Sequence, residues 1–506
     1  VAFSFVAARR IGDMMPDILD SLTLGARPGG RTLLKADWLL AHDQGGHVLY
    51  RNGELVIEGN RVLYAGPRFE GEVARRIDLG AALISPGLID LDALSDLDTY
   101  SLVLDNQPGW SRGRTWPDTY VARGPYEMYS PAELAFQKRY SFATLLLNGI
   151  TTALPIASLY YREWAETVDE FDAAADAAKE LGLRVFLSPA YRGGGAVVDR
   201  DGKIDMSFDE ERGFAGLAQA CDFIARRAGD GGGLINGLLA PDRVETNSAA
   251  LMQATIAAAV DLDVPVRLHM AQGKFEVDTM RRLHGATAAE WLSAIGCFND
   301  RLIAPHGTHA TDHDIDLYAQ HGVTIAHSPL VSARMGSVLK SFASIQAKGV
   351  NIGMATDTAP ADMWMNMLAG LIACRIADGA SDAAFSADFF NAATLGGAKA
   401  LKRPDLGRLQ AGALADIAIF RLDDPAMVPT VDPITTLVLG GTGKITEAVF
   451  VDGRLSMRRG QVAGMDMVAA RSQAQAQFEG LIAKYPDRSW QHPPVDQLFR
   501  PSFPIL

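Results

Sequence analysis

The chain has 506 residues, 47 Lys and Arg against 60 Asp and Glu, a formal charge of −13, and 48% hydrophobic residues. This is a soluble globular composition with a large core, which excludes wholesale disorder, collagen-like repeats and coiled coil. An acidic balance without a run of five Lys or Arg leaves no electrostatic footprint for nucleic acid or an anionic membrane. No apolar run approaches the roughly 18 residues of a bilayer span. The opening VAFSFVAA precedes Arg9 and Arg10 instead of following basic residues, unlike a signal peptide. Cys221, Cys297 and Cys374 lack CxxC spacing, which argues against a disulfide framework or a thiolate zinc site. A cytoplasmic protein with a small-molecule partner is expected.

In chain order, residues 1–31 read as an extension. Strand-and-turn text follows: TLLKADWLL, GELVIEG, a turn at Asn60 and Arg61, then VLYAG. Eight apolar runs then alternate with helical text: ALISPGLIDLD (82–92), ITTALPIA (150–157), RVFLSPA (184–190), LINGLLA (234–240), VPVRLHM (264–270), RLIAP (301–305), VTIAH (323–327) and VNIGMATD (350–357). Helical segments between them include AELAFQKRYSFATLLL, ERGFAGLAQACDFIARR and DHDIDLYAQ, the last with Thr311 as N-cap. Eight strand-then-helix units predict an α/β protein with a (β/α)8 barrel over 86–404. Strand text returns in ADIAIF and in EAVFVDGRLSM, where Asp452-Gly453 makes a two-residue hairpin turn. Residues 32–85 and 405–463 are therefore expected to share one β-sandwich. The segment 464–506 is a helix and tail expected to pack on the barrel or on a second subunit, with Phe503, Ile505 and Leu506 covered.

A barrel places its chemistry where the strands end. The runs end in Asp90 and Asp92, in His269 with Gln272, in His306 with His309, in His327 and in Asp357. Imidazoles with a carboxylate are the donor set of a first-row divalent metal that keeps a position for water. Asp357 is suited to take a proton from that water and pass it to a leaving group. Arg112 and Arg114, in an irregular stretch after the first run, are candidates to hold a polar or carboxylate substrate, with His309 and His327 as further substrate-binding candidates. Asp96 and Asp98 read as turn formers, and the methionines of MWMNM as core.

With these residues in place, PGLID, NGITT, LHMAQ, APHGTH, GMATD and ATLGGAKAL in this order resemble the amidohydrolase superfamily, in its aminohydrolase and chlorohydrolase branch. The resemblance spans about residues 32 to 463. It implies a metal-dependent hydrolase on a barrel with a small β-sandwich, usually as a homo-oligomer. It also implies His269 and Asp357 as metal ligands, with His306 as a candidate fourth. The family's His-x-His reads Asp92-Ala93-Leu94 here: Asp92 can give one oxygen, whereas Leu94 cannot bind metal. Gln272 stands where family deaminases have a proton-carrying Glu, and an amide carries hydrogen bonds but no transferable proton.

The expected function is hydrolysis of a C–N bond, in an amide, cyclic amide or related group of a small polar molecule. Asp357, His306 and Gln272 are the expected catalytic residues, around one divalent Zn, Mn or Fe on His269, Asp357, His306 and Asp92. That ion is expected to be weakly held or absent. The alternatives are a metal-free homologue without catalysis and a decarboxylase or other lyase.

Overall fold

The computed structural model of the chain describes residues 19–97, 100, 115–119, 129–157, 166–339 and 341–505. Eight parallel strands build a barrel: β1 (Leu88–Leu94), β2 (Ile150–Ile156), β3 (Arg184–Leu187), β4 (Ile235–Gly237), β5 (Val266–Arg267), β6 (Leu302–Pro305), β7 (Thr324–His327) and β8 (Asn351–Met354). Strands β1 to β4 pair in sequence, as do β5 to β8. The halves join where Arg267 N donates to Leu239 O at 2.9 Å. They close on the other side where Asp357 N donates to Asp92 O at 2.9 Å. Asp90 clasps the same seam, accepting from Thr356 N at 3.0 Å. Each strand corresponds to one of the eight apolar runs, because a strand buried on both faces needs continuous apolar text.

Helix ends follow local chemistry. The helix Pro131–Leu147 opens with Pro at its first position and a capping box between Ser130 and Glu133. Thr311 caps Asp312–His321 in the same way. Met363 and Met367 of the helix Met363–Asp378 are buried.

Strands from both ends of the chain share one seven-stranded sheet, in which Ala82–Pro86 pairs antiparallel with Ile417–Arg421 and parallel with Trp38–Asp43. A four-stranded sheet of residues 32–35, 54–58, 61–66 and 75–78 lies beside it. Asp452 and Gly453 both take positive φ, 53° and 74°, as a two-residue turn of this twist requires. A side chain at Gly453 would meet the Gly59 carbonyl at 2.1 Å, so the turn locks the two sheets together. The first turn differs from expectation by one residue. Glu58 pairs with Arg61, and the turn is Gly59-Asn60, because Gly59 accepts φ 62° at no steric cost.

The barrel meets the seven-stranded sheet through Arg184. Its Nε and Nη2 donate to the two oxygens of Asp416 at 2.9 and 3.1 Å, and its Nη1 donates to Gly233 O at 2.8 Å. The helix Met467–Arg488 packs by Leu481 and Tyr485 onto Tyr129 and Leu134. Phe503 and Ile505 are 81% and 86% exposed, so this end does not pack on the barrel as one of the two expected arrangements would have it. Pro501 and Pro504 prevent this end from continuing as a helix that could lay them down. Leu506 lies outside the described residues. No described helix is long and apolar enough to cross a membrane.

Candidate active site

Asp92, His269 and His306 stand at the ends of β1, β5 and β6, all buried, with donor atoms within 4.8 Å of one another. The Asp242 carbonyl, which only accepts, lies 2.9 Å from His269 Nδ1, so that nitrogen carries the proton. The other nitrogen, Nε2, faces Asp92 Oδ2 at 3.1 Å. His306 Nε2 is buried without a hydrogen-bond partner among the described residues and lies 3.4 Å from Asp357 Oδ2. His306 (φ 77°) and Asp357 (φ 42°) both hold left-handed backbone, a strained choice for residues with a Cβ.

Beneath the trio runs Arg267, two residues before His269 and on the same face of β5. It crosses the barrel interior, donating to Leu154 O at 2.6 Å and Pro155 O at 3.2 Å on β2, and its Nη1 lies 3.3 Å from Asp92 Oδ1. Burial opposes the Asp92 charge, but His269 and Arg267 outweigh it and hold the carboxyl below its ordinary value. The same pairing overcomes burial at His269 and raises its imidazole. Burial, then the neighbouring His269, pushes His306 well down and keeps it neutral. Burial, then the Asp92 charge, pushes the Asp357 carboxyl well above the usual range.

His269 and His306 of the trio line a cavity of about 760 Å³. On its β4–β5 side, Arg243 donates from Nε to Glu245 Oε1 at 2.7 Å and from Nη1 to Gln272 Oε1. Glu276 accepts from Ala271 N at 2.9 Å and Gln272 N at 2.7 Å, which ties down the start of the following helix. Burial, then the nearby Glu245, pushes the Glu276 carboxyl up to about 7.

Of the residues singled out by sequence, His269, His306, Asp357, Gln272 and His309 line this cavity. Leu94 lines it too, so an apolar side chain faces the space where the family pattern puts a second imidazole. Asp357 is not in the converging trio; its Oδ2 approaches His306 instead. His327 is corrected as a substrate contact. It does not line the cavity, its ring packs against Phe342 and Phe389, each at 6.1 Å between centroids, and burial pushes it down to about 3. Arg112 and Arg114 lie outside the described residues. Sequence reasoning missed Arg267, Glu245 and Glu276. Only Arg267 left a signal, a charge inside the apolar run VPVRLHM, since a charge buried in a strand must serve a partner.

Asp92, His269 and His306 fit a divalent cation. One carboxylate and two imidazoles converge on a single point, and the partnerless nitrogen of His306 has the lone pair such an ion takes.

Residues 84–456 match the Amidohydrolase family. A 5-methylthioadenosine/S-adenosylhomocysteine deaminase of Desulforudis audaxviator is 26% identical over 443 residues, 85% of this chain and 95% of that one. A 5'-deoxyadenosine deaminase of Methanothermobacter thermautotrophicus is 27% identical, over 81% of this chain and 91% of that one. Among solved structures, a zinc-bound adenosine deaminase of Xanthomonas campestris superposes with a TM-score of 0.73 at 21% identity, covering 89% of this chain and 98% of that one. The zinc complex of atrazine chlorohydrolase from Arthrobacter aurescens gives 0.71 at 22% identity, covering 88% and 100%.

Proposed function

This chain belongs to the amidohydrolase family and is a metal-dependent hydrolase of carbon–nitrogen bonds, and we propose that its reaction runs at the cavity mouth on Asp92, His269, His306 and Asp357. The observation that carries this reading is the convergence of three buried donor atoms within 4.8 Å, beside a cavity with room for a nucleoside-sized molecule. A divalent ion held by Asp92, His269 and His306 supplies, when bound, Lewis acidity and a water that ionises near neutral pH.

The chain's own residues do the rest. The Asp242 carbonyl fixes the His269 tautomer, leaving Nε2 as the donor. Asp357, with its raised carboxyl, holds the proton taken from water and delivers it to the leaving nitrogen. Gln272 positions substrate by hydrogen bonds and moves no proton. Its carbonyl end is already occupied by Arg243. The deaminase relatives make a nucleoside-like substrate the first class to assay, although the Gln at position 272 disfavours proton delivery to a ring nitrogen. The same reading takes the ion as Zn, Mn or Fe and the protein as a cytoplasmic homo-oligomer.

Arg267 favours one other reading, a metal-free homologue, because its guanidinium already brings positive charge to Asp92. Elemental analysis of purified protein, followed by reconstitution with Zn, Mn or Fe, separates the two. The hydrolase reading expects up to one ion per chain, lost in His269→Ala. Full activity with no bound metal, or metal content unchanged in that variant, defeats it.

A further inference from the structure

The cavity wall next to the trio carries three described cations, Arg192, Arg243 and Lys274. Each described cation on it is already engaged: Arg192 with Asp242 at 3.3 Å and over the Trp116 ring at 4.7 Å, Arg243 with Glu245 and Gln272, Lys274 with Asp278 at 2.7 Å. Glu245 is the opposite case. It is only 3% exposed, it lines the cavity, one oxygen takes the Arg243 Nε hydrogen, and the other, Oε2, is buried with no hydrogen-bond partner among the described residues.

A buried carboxylate oxygen left without a donor is costly, and native proteins seldom keep one without a use. Neither Thr246 nor Asn247, its neighbours in the chain, relieves it: Thr246 Oγ1 donates to Arg243 O, and the Asn247 amide donates to the carbonyls of Pro241 and Arg243. Glu276 adds a second carboxyl nearby whose oxygens are occupied by backbone amides. Arg243 lies between the two acids, and burial, then the nearby Glu245, raises the Glu276 carboxyl.

We propose that Glu245 Oε2 anchors the non-reacting end of the substrate, and that the class it selects presents a cationic N–H donor, such as an amidine, a guanidinium or an ammonium group. This rests on the reading of the cavity as the substrate site of a hydrolase. A carboxylate or phosphate placed against Glu245 Oε2 would bring it a second negative oxygen and no hydrogen. An N–H cation completes one unfilled acceptor and breaks nothing. Glu245 is thus a specificity residue that does not touch the reacting bond.

The test is calorimetric binding of two probes of matched shape, benzamidine and benzenesulfonate, to the full-length metal-loaded protein. Benzamidine should bind at least tenfold more tightly than benzenesulfonate, and Glu245→Gln, checked for an unchanged melting transition, should erase that preference. Equal or tighter binding of the sulfonate, binding of neither probe, or an unchanged benzamidine affinity in a folded Glu245→Gln variant overturns the proposal. If that variant does not fold, the wild-type contrast decides alone. No turnover enters the measurement. A benzamidine preference erased by Glu245→Gln in a protein that never takes up metal would keep Glu245 as the group that binds an N–H cation but remove the hydrolase reading and with it the substrate role, and a metal-dependent hydrolase that prefers the sulfonate would keep the hydrolase reading and overturn the assignment of Glu245.

Discussion

Arg184 and Arg267 are both buried, both face aspartates, and differ in what surrounds the pair. At the seam between barrel and sheet, Arg184 meets Asp416 with two parallel bonds and spends its remaining nitrogen on Gly233 O, while Asp416 also accepts from Asp452 N at 2.7 Å. At the barrel mouth, Arg267 approaches Asp92 at 3.3 Å without a hydrogen bond, its Nε has no partner among the described residues, and neither does Asp92 Oδ1. Two steps away, His306 Nε2 and Glu245 Oε2 are likewise uncommitted. A fully satisfied buried pair fixes how two parts of a chain fit together. A cluster of unsatisfied buried atoms is tolerated where a ligand completes it.

The contrast breaks first, and most heavily, at the seam. Arg184→Leu leaves Asp416 buried without its guanidinium and should lower stability by about 3–5 kcal/mol. Urea unfolding checks this, and a loss under about 1 kcal/mol would mean the seam is no better built than the mouth. Metal content per folded molecule should not change in that variant. At the mouth the order reverses. His306→Ala should cost metal affinity more than the roughly 10–100-fold that removal of an outer partner costs, read by competition with a chelator. Adding a donor sharpens the comparison: Leu94→His should tighten metal binding, measured in the same competition.

The smallest effect concerns pH. Glu276 ionises near 4.5 when unfolded and near 7 when folded, so between those values the folded state holds the extra proton. Its contribution to stability is therefore present below pH 4.5 and is lost as pH rises towards 7. Glu276→Gln should flatten the wild-type slope across pH 5 to 7 in denaturant titrations. An identical slope in the variant would show that the mouth does not store this strain.

The eight barrel strands were legible because each is buried on both faces and so reads as a continuous apolar run. The helices at Pro131 and Asp312 were legible because their caps are local chemistry. The ends of β1, β5, β6 and β8 pointed to Asp92, His269, His306 and Asp357 for the same reason, since strand ends are fixed once strands are. His327 misled because a strand-end histidine can turn outward between aromatic rings as readily as inward. Glu245 left no mark at all. It belongs to a short turn after β4 whose path depends on Arg243 and Gln272, contacts made 29 residues apart that no periodicity records. Asn60 shows the scale of local error: one residue, decided by which position accepts a positive φ.

The seven-stranded sheet also imposes a schedule on the chain as it is made. The strand Ala82–Pro86 has its antiparallel neighbour at Ile417–Arg421, about 330 residues later. At ~5–20 residues per second, a ribosome needs roughly 15–65 s to supply that neighbour. Through that interval one edge of Ala82–Pro86 is without its antiparallel partner, while the barrel between the two arms can already be assembling. A nascent chain of this kind therefore carries at residues 82–86 a strand edge open to unwanted pairing until the far arm emerges.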